Sequence, residues 1–284
     1  METRFLVDPG GLRDLAEALT YRYDPVFSED ALQRFTEFLT VRIPGKRDDR
    51  GRTVPELVGE QRYRDAVERL WPQLIACTFD ESAPAGWFGN ADRPATPFAP
   101  ESRRRVLPKY FSDRKELLGV LRGLTDTLFG GAAEDAGKET WCEKTPFNLL
   151  YMDFLWELVP EATIVHIKRH PVSVVASFVE QPWAPPTVDG ALAYLKPIYT
   201  RWLSWSSTAN LADRRYIEVK AEDLADDWPG QRSALFKGIG VDDHVTPSAF
   251  QSVKLTNRDG YFDRGTRAAI ERDLGDIISA MGYA

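Results

Sequence analysis

Apolar residues recur at helical spacing from the start of the chain. Leu12, Leu15 and Leu19 fall on one face after Asp8 and Pro9, a cap and a first-turn residue by type, so residues 1–42 read as helical after a short lead. A second helix is expected from about Ser28, where Leu32, Phe35 and Leu39 repeat the spacing, with TYRYDPVF as the link. Residues 43–58 mix charge, Gly and Pro and read as a solvated loop, because Asp48 and Asp49 interrupt the cations. Another helix is predicted over about 60–76, and from 80 to 111 both periods fade into ESAPAGWFGNADRPATPFAP and its flanks. A connection that long inside a domain is a lid or binding loop, which makes Trp87, Phe88 and Phe98 candidates for an acceptor wall; an aromatic-stapled surface loop fits the pattern equally well.

A helix from Asp113 has Glu116 three residues on, a capping box by type, followed by Leu117, Leu121, Leu124 and Leu128. After a Gly-rich break at 130–138, short runs alternate with a longer periodic one: ETWCEKT, PFNLLYMDFLWELVP, ATIVHIKR, PVSVVASF. That order predicts strand, helix, strand, helix, and hence a parallel sheet in an α/β fold. Residues 187–210 read as a Trp- and Tyr-rich helix that Pro197 should kink. A third strand, RYIEVK, precedes EDLADDWPG, a helix over QRSALFKGIG and a terminal helix that aligns Ile270, Leu274, Ile277 and Met281. The expected organisation is a single domain, 1–284, without internal repeats.

Composition narrows the function. At 43% hydrophobic and 28% charged residues the chain is globular, and its net charge of -7 argues against a nucleic-acid binder, so an anionic ligand must be met locally. Cys77 and Cys142 match neither a metal-ligand nor a disulfide pattern, which points to reduced thiols and a cytoplasmic setting. The N-terminus has no basic region ahead of a long apolar run, and no stretch approaches the ~18 apolar residues of a membrane span.

Ligands of open parallel sheets sit beyond the carboxyl ends of the strands, against the first N–H groups of the following helix. Two segments end that way. In Glu143-Lys144-Thr145-Pro146 the proline takes the first helical position and Lys144 is delivered to the strand tip; Glu143 reads as orienting Lys144, as a base, or as a solvent-facing acid. In the second, Arg169 closes a strand, Pro171 opens a helix and Ser177 lies two turns in, so a guanidinium and a hydroxyl face one helix end, as a phosphate monoester requires. His166, mid-strand between Val165 and Ile167, reads as a satisfied core histidine, and Trp183, Trp202 and Trp205 as core residues.

Taken in order, EKTPFN, VHIKRHPVSVVASF, YIEVKAEDLADD and ALFKGIGV resemble landmarks of the sulfotransferase family over roughly the last half of the chain. The resemblance implies a P-loop nucleotide-binding-like parallel sheet flanked by helices. It implies transfer of a sulfuryl group from 3'-phosphoadenosine 5'-phosphosulfate (PAPS) to a hydroxyl or amine of a small molecule or glycan, by in-line displacement without a metal. On it, Arg169 and Ser177 bind the 3'-phosphate, Lys144 lies beside the transferring sulfuryl group, with Glu143 as a further catalytic candidate from its place next to it, and Lys254, Arg258 and Arg264, with Asn257 and Gly260, form a loop covering the nucleotide. His170 replaces the family's usual aspartate and should cap the helix less well; Glu222 and Asp223 should pin the loop after the third strand.

The family's Gly-rich G-x-x-R-S-G-T-T loop finds no counterpart, since GGAAEDAGKET has another register and puts Glu139 where Ser or Thr is needed. METRFLVDPGGLRDL resembles the segment downstream of that loop and its helix, so the sheet is expected to lack its first strand, in a sequence that starts late or in a shortened relative. Two other functions stay open. A kinase-like phosphotransferase would need a Walker loop and acidic metal ligands, and a non-catalytic relative would keep the 3'-phosphate half-site to bind nucleotide or a partner.

Overall fold

The computed structural model describes residues 3–48, 50–80, 104–242 and 260–283, without the side chains of Asp80 and Arg104. The chain divides into two units, Met1–Pro160 and Glu161–Ala284.

In the first unit, α1 (Leu12–Ala18) starts after Gly11 rather than at Asp8, because the Asp8 carbonyl accepts the Gly11 N–H at 2.8 Å and closes a turn there. Gly11 is required: a Cβ on it would meet the Phe5 carbonyl oxygen at 2.6 Å. Leu12, Leu15 and Leu19 are all fully buried. α2 (Pro25–Glu37) begins at Pro25 rather than near Ser28, since Asp24 caps it by accepting from the Val26 and Phe27 amides at 2.9 and 3.2 Å. A π-helical turn, Phe38–Arg42, leads into α3 (Ile43–Gly45). Thr53 and Glu56 then close a capping box and start α4 (Val54–Val58), so the stretch expected to be loop holds two short helices around a charged middle.

α5 (Glu60–Leu74), where a helix was expected, buries Tyr63, Val67, Leu70, Trp71 and Leu74. It runs into β1 (Ile75–Asp80), which pairs antiparallel with β2 (Arg104–Pro108). Strands therefore occupy both borders of the stretch expected to be irregular; Trp87, Phe88 and Phe98 lie outside the described residues. Glu29 of α2 anchors β2, accepting from the Arg105 guanidinium and from the Val106 amide at 3.0 Å.

α6 (Arg114–Thr125) is capped by Asp113, which accepts from the Lys115 amide at 2.9 Å. Glu116 pairs instead with Lys109 at 2.8 Å, so it is engaged outside the box expected there. A π-helical turn, Asp126–Gly130, and α7 (Gly131–Asp135) follow, and after a 3-10 turn at Pro146–Tyr151 comes α8 (Met152–Leu158). ETWCEKT, expected as a strand, has no ladder partner among the described residues; its Glu143 and Thr145 side chains instead join a hydrogen-bond cluster with Thr3.

The second unit contains β3 (Ile164–Lys168), α9 (Pro171–Phe178), α10 (Val188–Ser206, with Pro197 inside it) and β4 (Tyr216–Lys220). β3 and β4 are parallel, in register from Ile164 opposite Tyr216 to Lys168 opposite Lys220. α11 (Ala221–Asp226), α12 (Trp228–Ile239), α13 (Arg264–Asp273) and α14 (Gly275–Ala280) complete it. α9 packs on α10 and α13 through an apolar face that buries Val172, Val175 and Ala176. The terminal helix is interrupted at Leu274, yet Ile270, Leu274, Ile277 and Met281 are all buried as their spacing predicts. Among the described residues the architecture is helix-dominated, with one parallel and one antiparallel strand pair rather than an extended parallel sheet. No helix among them is long and apolar enough to cross a membrane.

Candidate functional site

β3 ends at Lys168 and α9 opens at Pro171, leaving Arg169 and His170 as the turn between them. Pro171 suits the first helical position because its missing N–H would have no intrahelical acceptor. His170 occupies the cap position and its Nδ1 accepts from the Val172 amide at 3.3 Å, so the histidine caps this helix where the family's usual residue is aspartate. That bond requires an unprotonated Nδ1. Arg169 lies back along α9 and donates from its guanidinium to the Ser177 hydroxyl at 3.3 Å. The two residues expected to share an anion are thus brought together, both half-buried.

The carboxyl end of β4 supplies the other side of the turn. Glu222 accepts from the His170 backbone amide at 2.9 Å and from the Tyr283 hydroxyl at 3.0 Å. The acid expected to pin the loop after the third strand therefore holds the turn after β3. The Tyr283 ring meets the His170 ring edge-on at 5.1 Å. Lys220 donates to the Gly282 carbonyl at 2.7 Å with its ammonium 4.7 Å from the Tyr283 ring centroid. Burial, then the nearby Glu222 carboxylate, push the Tyr283 phenol above its ordinary range, keeping it a donor.

Further along the same pair of strands, His166 lies 2.7 Å through Nδ1 from the Tyr216 hydroxyl, which donates to Glu218 at 3.1 Å. Glu218 also accepts from Lys168, and the His166 ring is edge-on to Trp202 at 4.8 Å. Burial pushes the imidazole down to about 4, against the pull of Glu218. Burial alone would raise the Glu218 carboxyl, but the Lys168 hydrogen bond and charge hold it below the usual range. His166 is accordingly a satisfied core histidine. Trp202 is core as expected, whereas Trp183 is 68% exposed, because it follows the end of α9 and touches Phe178 only edge-on.

In the Met1–Pro160 unit, Glu143 has both carboxylate oxygens occupied. One accepts from the Thr3 hydroxyl, the Thr3 amide and the Thr145 hydroxyl at 2.8, 3.3 and 2.6 Å, and the other from Asn148 at 2.6 Å. Thr145 is buried and its hydroxyl accepts the Arg4 amide at 3.2 Å. This clamp sets the path of the Glu143-Lys144-Thr145-Pro146 turn and leaves Lys144 on an exposed backbone position. Thr3 was not legible as a partner, since a bond between residues 3 and 143 leaves no local pattern. Arg264 opens α13, where Asp263 accepts the Gly265 and Thr266 amides at 2.8 and 3.0 Å; Lys254, Asn257 and Arg258 lie outside the described residues.

A model of the sulfotransferase family matches residues 63–245, a span that includes Lys144, Arg169, Ser177 and Glu222. A nodulation protein, NoeE, from Sinorhizobium fredii is 32% identical over 79 residues, which is 28% of this chain and 19% of that protein. The match thus spans less than a quarter of that relative's length. No solved structure matches the chain.

Proposed function

The chain belongs to the sulfotransferase family, and from that premise we propose that it moves a sulfuryl group from PAPS to a hydroxyl or amine of a small molecule or glycan. The observation that carries the proposal is the Arg169 guanidinium laid along α9 and held on the Ser177 hydroxyl in its last turn. A phosphate monoester arriving there would meet a planar cation able to bind two oxygens and a hydroxyl. Arg169 and Ser177 are assigned to the donor's 3'-phosphate.

In the reaction, the acceptor's oxygen or nitrogen forms a bond to sulfur while the bond from sulfur to the bridging oxygen breaks. Its electron pair stays on the departing 3',5'-adenosine bisphosphate, and the acceptor's proton is released. Catalysis of such a step is chiefly positioning and neutralisation of charge on the leaving oxygen. Lys144 is the cation assigned to that charge. Glu143, saturated by Thr3, Thr145 and Asn148, is assigned the role of holding the Lys144 turn rather than of a base. Lys254, Arg258 and Arg264 are assigned to the nucleotide's cover. A P-loop-type sheet, one sulfotransferase-like domain over 1–284 and a cytoplasmic setting belong to the same proposal.

The test is incubation of the purified chain with PAPS labelled in its sulfate and a panel of phenols, alcohols, amines and oligosaccharides. Labelled product formed together with 3',5'-adenosine bisphosphate supports the proposal. Tight binding of the bisphosphate with no transfer to any acceptor would leave a binding module in place of an enzyme.

A further inference from the structure

We infer that Glu222 and Tyr283 are positioning residues for the Arg169 anion site: together they lock the Arg169–His170 peptide and so aim the guanidinium. The inference rests on Arg169 and Ser177 binding the donor's 3'-phosphate, and it adds two residues to that site.

The peptide joining Arg169 to His170 is a rigid plane, so holding its N–H at Glu222 holds the bond by which Arg169 leaves the turn. Without that acceptor the plane loses this restraint, and the long Arg169 side chain gains rotamers it must lose again on binding. Glu222 is itself held at its second oxygen by the Tyr283 hydroxyl. Tyr283 is placed by a helix-stop signal: Gly282, at φ +75, follows α14 and donates to the Ser279 carbonyl at 3.0 Å, while the Tyr283 amide donates to the Ile278 carbonyl at 3.0 Å. These are the two bonds of a Schellman close, which turns the chain back on itself. Lys220 fixes the result from β4 by binding the Gly282 carbonyl and lying against the Tyr283 ring.

The charges point the same way. A carboxylate next to an anion site weakens anion binding by repulsion, so Glu222 needs another reason to be there. Its two oxygens are each engaged by a donor, one of them the backbone of the turn. Tyr283 lies beyond the span matched by the family model.

The experiment compares calorimetric affinities for 3',5'-adenosine bisphosphate and adenosine 5'-phosphate, whose ratio isolates the 3'-phosphate. Wild type, Arg169→Ala, Glu222→Ala and Tyr283→Phe are measured, with melting temperatures alongside. Arg169→Ala should abolish the preference for the bisphosphate. Tyr283→Phe, which keeps the ring and its packing, should reduce the preference about fivefold and Glu222→Ala more, with adenosine 5'-phosphate binding unchanged. Combining Tyr283→Phe with Arg169→Ala should add no further loss of preference. If Arg169→Ala abolishes the preference while Tyr283→Phe and Glu222→Ala leave it intact, or weaken both nucleotides equally, the positioning role is wrong and the site stands. If Arg169→Ala itself leaves the preference intact, the phosphate assignment falls and the positioning role falls with it.

Discussion

The guanidinium of Arg169 donates to the hydroxyl of Ser177, eight residues on, at 3.3 Å. Along a helix that rises about 1.5 Å per residue this contact requires the arginine to lie flat against α9 instead of extending from the strand end. An oxyanion set between the two groups would replace a weak neutral acceptor with a charged one.

Replacing Arg169 by Ala should weaken binding of 3',5'-adenosine bisphosphate by ~1.5–3 kcal/mol, the usual worth of hydrogen bonds to a charged group. Arg169→Lys should recover only part of it, since an ammonium cannot present two parallel N–H groups. Ser177→Ala should cost less, about 0.5–1.5 kcal/mol. Isothermal titration measures all three, and unchanged affinity in Arg169→Ala would remove the site.

Glu143 and Lys144, neighbours in sequence, should separate cleanly in their effects. Glu143→Ala strips the acceptor from Thr3, Thr145 and Asn148 and should lower stability by about 1–3 kcal/mol in urea denaturation. Lys144→Ala, at an exposed position, should leave stability within about 0.5 kcal/mol while lowering sulfate transfer. Equal losses of stability in both would assign Lys144 to structure.

The Glu29 and Arg105 pair, with side chains 3% and 14% exposed, should be the most sensitive polar contact of the first unit. Glu29→Ala would remove the carboxylate that the Arg105 guanidinium and the Val106 amide share in a largely dry place, a loss of about 3–5 kcal/mol. Changing both residues to apolar ones of similar volume should recover much of it. A double variant no more stable than Glu29→Ala would argue against an uncompensated charge as the cause.

His166 predicts acid sensitivity. Its imidazole stays neutral in the folded chain down to about 4, while the unfolded chain takes up the proton near 6.5. Between those values the unfolded state binds more protons, so the contribution is fully present above about 6.5 and fades as pH falls towards 4, by up to ~3 kcal/mol. Glu218, held low by Lys168, adds a loss in the same direction below its ordinary 4.5. Denaturation curves at neutral pH and near pH 5 should show the slope in wild type and a flatter one in His166→Asn. A variant with the full slope would place the sensitivity elsewhere.

The longer helices were legible from the period of their apolar residues. Glu60–Leu74, Arg114–Thr125 and Pro171–Phe178 lie where the spacing puts them, because a helix is decided by neighbours along the chain. β1 and β2 were not legible, and ETWCEKT was read as a strand it does not form, because a strand exists only through the bonds of a distant partner. The same divide runs through the candidate site. The Arg169 and Ser177 contact follows from a spacing that any reader of the chain can count. The bonds of Glu222 to His170 and Tyr283 join residues 52 and 61 positions apart, and Glu143 reaches Thr3 across 140.

The sequence by itself determined the longer helices, the turn at Arg169 and the chemistry available there, all carried by local periodicity and residue type. The tertiary structure alone decided which carboxylates hold that turn and the Lys144 turn in place. Hydrogen bonds between distant segments depend on how the chain is brought back on itself, and no spacing in the sequence encodes that distance.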